Sequence, residues 1–254
     1  MLDNSVLAGY EKALCVLADA LSACTRANGR REAILVGGAA ATLLTGGAFM
    51  SGDFDFLAGC DHDVALVMSD HGFVAEDRHG YLRIGWHHPG HPRFGFQQVS
   101  GALMDGRADQ ARLLRLRMPS DAILVLPAVE DMVADRMGQH AIASPTDTSR
   151  LLQARAMLMV HGGWQRDYLV RRVTEEGGDP GLLGDVMQEA YASEASCEDF
   201  VSAWARNLGR ARALGLVDAE MRNPGTGRTE EKRELLQRMA ARARKAGLPP
   251  VPGF

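Results

Sequence analysis

The order of apolar and polar positions predicts alternating helices and strands in the first quarter of the chain. Over residues 3–27 the apolar positions recur every three or four residues, which indicates an amphipathic helix. The run 33–36 is short and apolar, as in a buried strand, and Gly37-Gly38 ends it. The predicted elements are a helix at 3–27, a strand at 33–36, a helix at 39–44, a strand at 54–57 and a short helix that begins at Asp61 or Asp63.

The remaining pattern changes from strands to helices near Pro127. The predicted strands lie at 73–75, 81–86, 93–99, 113–117 and 123–126. The predicted helices lie at about 130–142, 147–160, 164–176, 182–191, 197–214 and 229–246. The pattern therefore predicts an α/β core with an N-terminal helix over residues 1–127 and a helical domain over 128–254.

Composition narrows the functional classes. The chain has 254 residues, 46% of them hydrophobic and 24% charged, which is enough to bury a sizeable core. A net charge of −4 excludes a globally basic surface for nucleic acid. The four cysteines form no Cys-x-x-Cys pair, a pattern typical of reduced thiols. With no signal peptide or uncharged membrane-length run, we expect a cytoplasmic protein without a membrane partner.

Two short motifs carry candidate chemistry. The turn Gly37-Gly38 lies between a strand and a helix, so its backbone N–H groups and the helix N-terminus favour a phosphate. Asp53 and Asp55 follow, spaced two residues apart on the next strand, so both carboxylates project from one face. Mg²⁺ binds through one or two carboxylates together with substrate phosphates. The motifs therefore predict a Mg²⁺–phosphate site.

The stretch 35–57 resembles the nucleotidyltransferase superfamily, whose hallmark is a strand, a Gly-Gly or Gly-Ser turn, a helix, and Asp-x-Asp on the next strand. Ser51 lies where many relatives carry Thr or Ser two residues before the first aspartate. The segment 126–136 is similar to the Pro-x-x-Glu-Asp-Leu-(Ile/Val)-Ala-x-Lys motif of AbiEii-like and related uncharacterised bacterial branches. Arg136 replaces the usual Lys and keeps its charge. The resemblance covers about residues 30–160.

This resemblance implies a polymerase-beta-like mixed sheet and a Mg²⁺-dependent enzyme. Such an enzyme transfers a nucleoside monophosphate from an NTP to a hydroxyl of an RNA, a protein or a small molecule. The AbiEii-like branch implies a toxin–antitoxin or phage-defence setting. The site residues that follow are Asp53 and Asp55 for catalysis and metal binding, and Gly37, Gly38, Ser51 and Arg136 for the nucleotide.

The third carboxylate that these enzymes usually carry on a later strand has no counterpart at the expected place. The strand at 93–99 carries Gln97 and Gln98, and a neutral amide is neither a base nor a good Mg²⁺ ligand. Glu76 or Asp77 could supply the missing charge. The alternative is a catalytically inactive member of the fold that binds a nucleotide, a nucleic acid or a protein.

Other interpretations of the same motifs stay open. Gly37-Gly38 could be an ordinary turn, and Asp53 and Asp55 a solvated strand end. A dinucleotide site is disfavoured because the glycines do not follow Gly-x-Gly-x-x-Gly. The histidines match no standard zinc spacing and predict a polar loop; they are His79, His87, His88 and His91.

Two basic stretches are candidates for contact with phosphates. The first, at 107–117, carries four arginines that could neighbour a triphosphate or an RNA backbone. The second, at 228–245, predicts a net-basic amphipathic helix. Its default interpretation is a solvated face, and its alternative is contact with an RNA acceptor or an acidic partner.

Overall fold

The computed structural model describes residues 4–29, 31–76, 85–99, 101–187, 197–216 and 230–248. Its helices are α1 (Asn4–Asn28), α2 (Gly37–Leu44), α3 (Asp61–Asp70), α4 (Val129–Ala141), α5 (Ser149–Val160), α6 (Arg166–Glu175), α7 (Pro180–Val186), α8 (Phe200–Ala213) and α9 (Glu230–Lys245). Its strands are β1 (Ile34–Val36), β2 (Asp53–Leu57), β3 (Val74–Glu76), β4 (Gly85–His87), β5 (Gly95–Gln98), β6 (Leu114–Arg117), β7 (Ile123–Leu126) and β8 (Cys197–Asp199). Two 3₁₀ turns lie at Leu103–Gly106 and Gln110–Arg112.

The strands form one mixed sheet in the order β3-β4-β5-β2-β1-β7-β6-β8. Strands β1 and β7, β2 and β5, and β6 and β8 pair in parallel, and the other neighbours pair antiparallel. The predicted mixed α/β fold is therefore confirmed. Among the described residues no helix is long and apolar enough to cross a membrane.

One face of the sheet packs on the main hydrophobic core. Phe54 and Phe96 lie side by side on β2 and β5, with ring centroids 5.1 Å apart. Tyr10 of α1 stacks on Phe54, with ring centroids 4.7 Å apart. Phe56 stacks on Trp86 of β4. These rings are buried and make this face of β2, β5 and β4 largely apolar, with Gln98 at the end of β5 as a buried polar residue on it.

The opposite face has two parts. On β1 and β7 it is apolar, because Ile34, Val36 and Val125 pack in a second, smaller cluster with Leu103 and Leu113. On β2 and β5 it carries the residues that alternate with the buried rings, namely Asp53, Asp55, Gly95 and Gln97. The apolar–polar alternation of β2 thus places its carboxylates on this second face.

The C-terminal part differs from the predicted run of helices at one point. The predicted helix at 197–214 begins instead with β8, which pairs in parallel with β6, and only then continues as α8. A three-residue edge strand is held by the backbone of its neighbour, so its side-chain pattern gives little signal. Helix α7 ends at Val186, and the last residues of the predicted helix at 182–191 lie outside the described residues. The predicted division at residue 127 stays a prediction.

Candidate functional site

The Gly37-Gly38 turn brings the start of α2 against β2. Gly37 has φ +65°, in the left-handed region that favours glycine. A Cβ on Gly37 would lie 2.8 Å from Oδ2 of Asp55, and one on Gly38 would lie 2.5 Å from Oγ of Ser51. The turn therefore requires glycine at both positions, because side chains of the predicted site pack directly on it.

A chain of hydrogen bonds ties this turn to the first aspartate. Thr42 Oγ1 donates to the carbonyl of Gly38 (3.0 Å) and accepts from the backbone N–H of Ser51 (2.9 Å). Ser51 Oγ then donates to Oδ1 of Asp53 (3.1 Å). Ser51 is predictable from the sequence as a site residue, and for Thr42 the available signal is its position one helical turn after Gly38.

The two aspartates lie on the same face of the sheet, as their spacing predicts. In the register of the strands, Asp55 is paired with Val36 of β1 on one side and with Gln97 of β5 on the other. Asp53 is paired with Gly95, which has no side chain to cover it. Asp53 is 4% exposed, so its carboxylate needs a charged or hydrogen-bonding partner.

That partner is Lys232 of α9. Its Nζ makes an ion pair with Asp53 and lies 3.7 Å from Oδ2 of Asp55. Burial lowers the pKa of Lys232 to about 8. From the sequence, Lys232 is predictable only as part of a basic helix, because its position against the carboxylates depends on a contact about 180 residues away in the chain.

The site therefore has the donor set for one divalent cation. Asp53 and Asp55 converge on a single positive group, Lys232 Nζ, beside the turn that opens α2. Two carboxylates next to a predicted phosphate-binding turn are ligands of the kind that Mg²⁺ takes together with phosphate oxygens and water. Among the residues that the structure describes, no group of three His, Cys, Asp or Glu side chains could hold a metal.

Neither the two glutamines of β5 nor Glu76 of β3 adds a third carboxylate to Asp53 and Asp55. Gln97 is paired with Asp55 and shares its face, whereas Gln98 points to the other face and donates to Oδ1 of Asp61 (3.0 Å). Glu76 is paired with Gly85, which is paired with Gln97, so Glu76 lies two strands beyond Gln97 on the same face. At about 4.8 Å per strand it is too far from Asp55 to share an ion. Asp77 lies outside the described residues.

Glu76 instead anchors α9. It makes an ion pair with Arg242, and Nε of Arg238 lies 3.3 Å from its Oε2. Arg242 also donates to the backbone carbonyls of Pro92 (3.2 Å) and Phe94 (3.1 Å). The second basic stretch of the sequence is thus held on the sheet at both ends, by Asp53 and Asp55 at one and by Glu76 at the other.

Arg136 is not joined to the aspartates by any contact among the described residues. It is 2% exposed on α4, where Nη1 donates to Oε1 of Gln139 (3.0 Å) and lies 3.2 Å from Oδ2 of Asp135. Its Nε and Nη2 have no hydrogen-bond partner within the described part of the chain. A role for Arg136 in nucleotide binding stays a prediction.

The Glu-Asp segment before Arg136 has a structural role. Oε1 of Glu130 accepts hydrogen bonds from Arg112 (2.6 Å) and from the backbone N–H of Gln165 (2.8 Å). Asp131, fully buried, accepts from Nε of Arg172 (2.7 Å) and from the hydroxyl of Tyr168. The two acids therefore fasten α4 to α6 and to the 3₁₀ segment.

Three of the four arginines at 107–117 are also engaged by acids. Arg112 pairs with Glu130, and Arg115 pairs with Glu32 at 2.6 Å. Nη2 of Arg107 lies 3.3 Å from Oε2 of Glu176. The structure gives these arginines internal partners, and their predicted contact with a triphosphate or RNA stays a prediction.

The histidines of the β4–β5 connection form a compact polar loop. The rings of His88 and His91 are 5.1 Å apart, and Nδ1 of His87 lies 3.8 Å from Oε1 of Glu76. Burial lowers the pKa of all three histidines, and Arg242 lowers that of His87 further. His79 lies outside the described residues.

Comparison with solved structures finds weak similarity. The chain is similar to the crystal structure of an antigenic nucleotidyltransferase-like protein from Paracoccidioides brasiliensis, at 15% sequence identity and a TM-score of 0.48. The match covers 72% of this chain and 94% of that one. A likeness of this degree assigns neither family nor activity. No protein-family model and no curated protein matches the sequence.

Proposed function

We propose that this protein is a nucleotidyltransferase-fold enzyme that binds an NTP with Mg²⁺ and transfers its nucleoside monophosphate to a hydroxyl group. One observation carries the proposal. Two carboxylates on β2 converge on one positive group, directly beside the glycine turn at which α2 begins. A triphosphate at the turn and a cation at the carboxylates would then lie in contact with each other.

Each residue has a distinct task in this proposal. Asp53 and Asp55 would hold Mg²⁺, which offsets the charge of the phosphates during an in-line displacement. The start of α2 would bind phosphate oxygens through backbone N–H groups, without a side chain in the way. Ser51 fixes the carboxylate of Asp53 by its hydrogen bond. The incoming hydroxyl replaces pyrophosphate at the α-phosphorus, and its proton leaves to water or to a base.

The test is nucleotide binding by calorimetry with each NTP, with and without Mg²⁺. We expect Mg²⁺-dependent binding in the natural protein and at least a tenfold loss in Asp53→Asn/Asp55→Asn, because the metal ligands are removed. The matched control is Asp70→Asn/Asp185→Asn, which removes two exposed carboxylates elsewhere. Binding that ignores Mg²⁺, or that survives loss of both aspartates, contradicts the proposal.

The second candidate is a module of the same fold that binds the nucleotide without transferring it. Gln97 favours it, because a neutral amide is paired with Asp55 on the face where a third carboxylate would complete the set. Radiolabelled NTPs incubated with total RNA and with cell protein separate the two candidates. Transfer by the natural protein supports the enzyme, whereas transfer that requires Gln97→Asp supports the binding module.

The acceptor and the biological setting belong to the same proposal. The AbiEii-like resemblance suggests an RNA or protein acceptor in a toxin–antitoxin or phage-defence system. Induced expression of the natural protein would then arrest growth, and Asp53→Asn/Asp55→Asn would relieve the arrest. Equal growth of the two strains would contradict this setting and leave the nucleotide-binding proposal to its own test.

A further inference from the structure

Helix α9 lies over the candidate metal site on the polar face of the sheet. The side chains that it turns toward the sheet are Lys232, Leu235, Met239 and Arg242, spaced three, four and three residues apart, as one face of a helix requires. A Cβ on Gly95 would lie 2.9 Å from Cδ1 of Leu235 and from Sδ of Met239. The glycine that faces Asp53 on β5 thus makes room for the helix.

The contact is complementary in charge along its length. Helix α9 turns three cations toward the acids on the polar side of the sheet, namely Lys232, Arg238 and Arg242. The acids are Asp53 and Asp55 at one end and Glu76 at the other. Each of these carboxylates is paired with a cation of α9, and at Asp53 and Asp55 Lys232 supplies the positive charge that a Mg²⁺ ion would otherwise supply.

We propose that α9 is an autoinhibitory helix, in which Lys232 occupies the cation position of the Asp53–Asp55 pair and Mg²⁺–NTP binds only when the helix leaves the sheet. This inference rests on the proposed function. Nζ of Lys232 contacts Oδ2 of Asp53 and lies 3.7 Å from Oδ2 of Asp55, so it takes up the space in which one ion would be bound by both oxygens. Leu235 and Met239 also cover Gly95, beside the carboxylates, where a nucleotide or acceptor would approach.

The apolar part of the contact is small and separate from the core. Leu235, Leu236 and Met239 form a cluster of their own and do not join the main hydrophobic core. The remaining contacts are ion pairs between partly exposed cations and almost buried carboxylates, and at Asp53 and Asp55 a Mg²⁺ ion could replace the positive charge of Lys232. A contact of this composition can open without unfolding the sheet.

The first test measures binding of Mn²⁺, used as a spectroscopic substitute for Mg²⁺, by electron paramagnetic resonance with and without ATP. We expect Lys232→Ala to bind Mn²⁺ at least tenfold more tightly than the natural protein, because its carboxylates have lost their internal cation. The matched control is Arg233→Ala, which removes the same charge from an exposed position one residue further along α9. We expect no change in that variant.

The second test weakens α9 at its far end. Arg242→Ala removes the anchor to Glu76, which lies three strands away from Asp55, and leaves Lys232 unchanged. A tighter Mn²⁺ affinity in Arg242→Ala supports a helix that leaves as a unit. If Arg242→Ala binds Mn²⁺ as the natural protein does while Lys232→Ala binds it more tightly, Lys232 acts only through its own charge. That result would overturn the autoinhibitory helix.

Failure of the two proposals gives different results. If the natural protein, Lys232→Ala and Arg242→Ala all bind Mn²⁺ with the same affinity, and Asp53→Asn/Asp55→Asn does not bind it, the metal site stands and the autoinhibitory helix is wrong. If neither the natural protein nor Lys232→Ala binds Mn²⁺ or ATP, the proposed function is wrong and the helix has nothing to inhibit.

Discussion

Gly37 is the residue at which the backbone of the turn and the carboxylate of Asp55 approach most closely. In Gly37→Ala the new Cβ would lie 2.8 Å from Oδ2 of Asp55, at φ +65°. We expect a loss of about 1–2 kcal/mol in the free energy of unfolding, from the left-handed backbone alone. Displacement of Asp55 should also weaken Mn²⁺ binding. Urea unfolding and a Mn²⁺ titration measure the two effects.

The control for this prediction is a glycine without such constraints. Gly209 lies inside α8, and nothing approaches a Cβ built on it within 4 Å. Gly209→Ala should therefore raise the free energy of unfolding by about 0.5–1 kcal/mol and leave Mn²⁺ binding unchanged. If Gly37→Ala is as stable as the natural protein and binds Mn²⁺ equally well, the close approach of the turn to Asp55 is wrong.

Helices α4 and α6 are held together by a buried ion pair whose loss should be costly. Arg172 and Asp131 are both fully buried, and burial raises the pKa of Asp131 against the effect of its hydrogen bonds to Arg172 and Tyr168. Arg172→Met leaves this carboxylate without its cation, so we expect the free energy of unfolding to fall by about 3–5 kcal/mol. The measurement is chemical unfolding monitored by circular dichroism.

The neighbouring arginine provides a matched control on the same helix. Arg171 pairs with Glu175 at 3.2 Å, but its side chain is 56% exposed. Arg171→Met should change the free energy of unfolding by no more than about 1 kcal/mol. Adding Asp131→Asn to Arg172→Met should recover part of the loss, since it removes the unpaired charge. Equal effects of the two single variants would contradict a special role for the buried pair.

The histidine loop between β4 and β5 should make stability depend on pH. Burial lowers the folded-state pKa of His87, His88 and His91 below the ordinary value of 6.5. The unfolded chain therefore binds protons more readily near pH 6, and stability falls as the pH drops through about 6.5. We expect a lower midpoint of thermal unfolding at pH 5.5 than at pH 7.5, and a smaller difference in a variant with all three changed to Gln. An undiminished difference in that variant would assign the effect to other groups.

The elements that sequence predicts well are those whose signal is local. The apolar run before Gly37 and the alternation around Asp53 and Asp55 depend on neighbours in the chain, and both appear as β1 and β2. The strand β8 was predicted as helix, because three residues at a sheet edge take their conformation from β6. The contact of Lys232 with Asp53 was not predictable, since a basic amphipathic helix has the same pattern whether its polar face meets water or acids.

At the scale of the whole molecule, the two faces of the sheet differ in how firmly they are covered. The ring-bearing face of β2 and β5 is part of the main core with α1, whereas the polar face is covered by α9 through three apolar side chains and a set of ion pairs. Burial of each apolar side chain contributes about 1.5–3 kcal/mol, before the entropy of ordering the helix is subtracted. We therefore expect α9 to open at a free energy well below that of global unfolding.

Native-state hydrogen exchange measures this difference directly. Amides of α9 should exchange through a local opening, while amides of β2 and α4 exchange only with global unfolding. Raising KCl from 0.1 M to 1 M shortens the Debye length from about 10 Å to about 3 Å, so exchange in α9 should accelerate while β2 and α4 serve as the internal control. Arg242→Ala should accelerate it at low salt, because the anchor to Glu76 is lost. If α9 exchanges with the same free energy as β2 at both salt concentrations, the helix is an integral part of the fold and does not open separately.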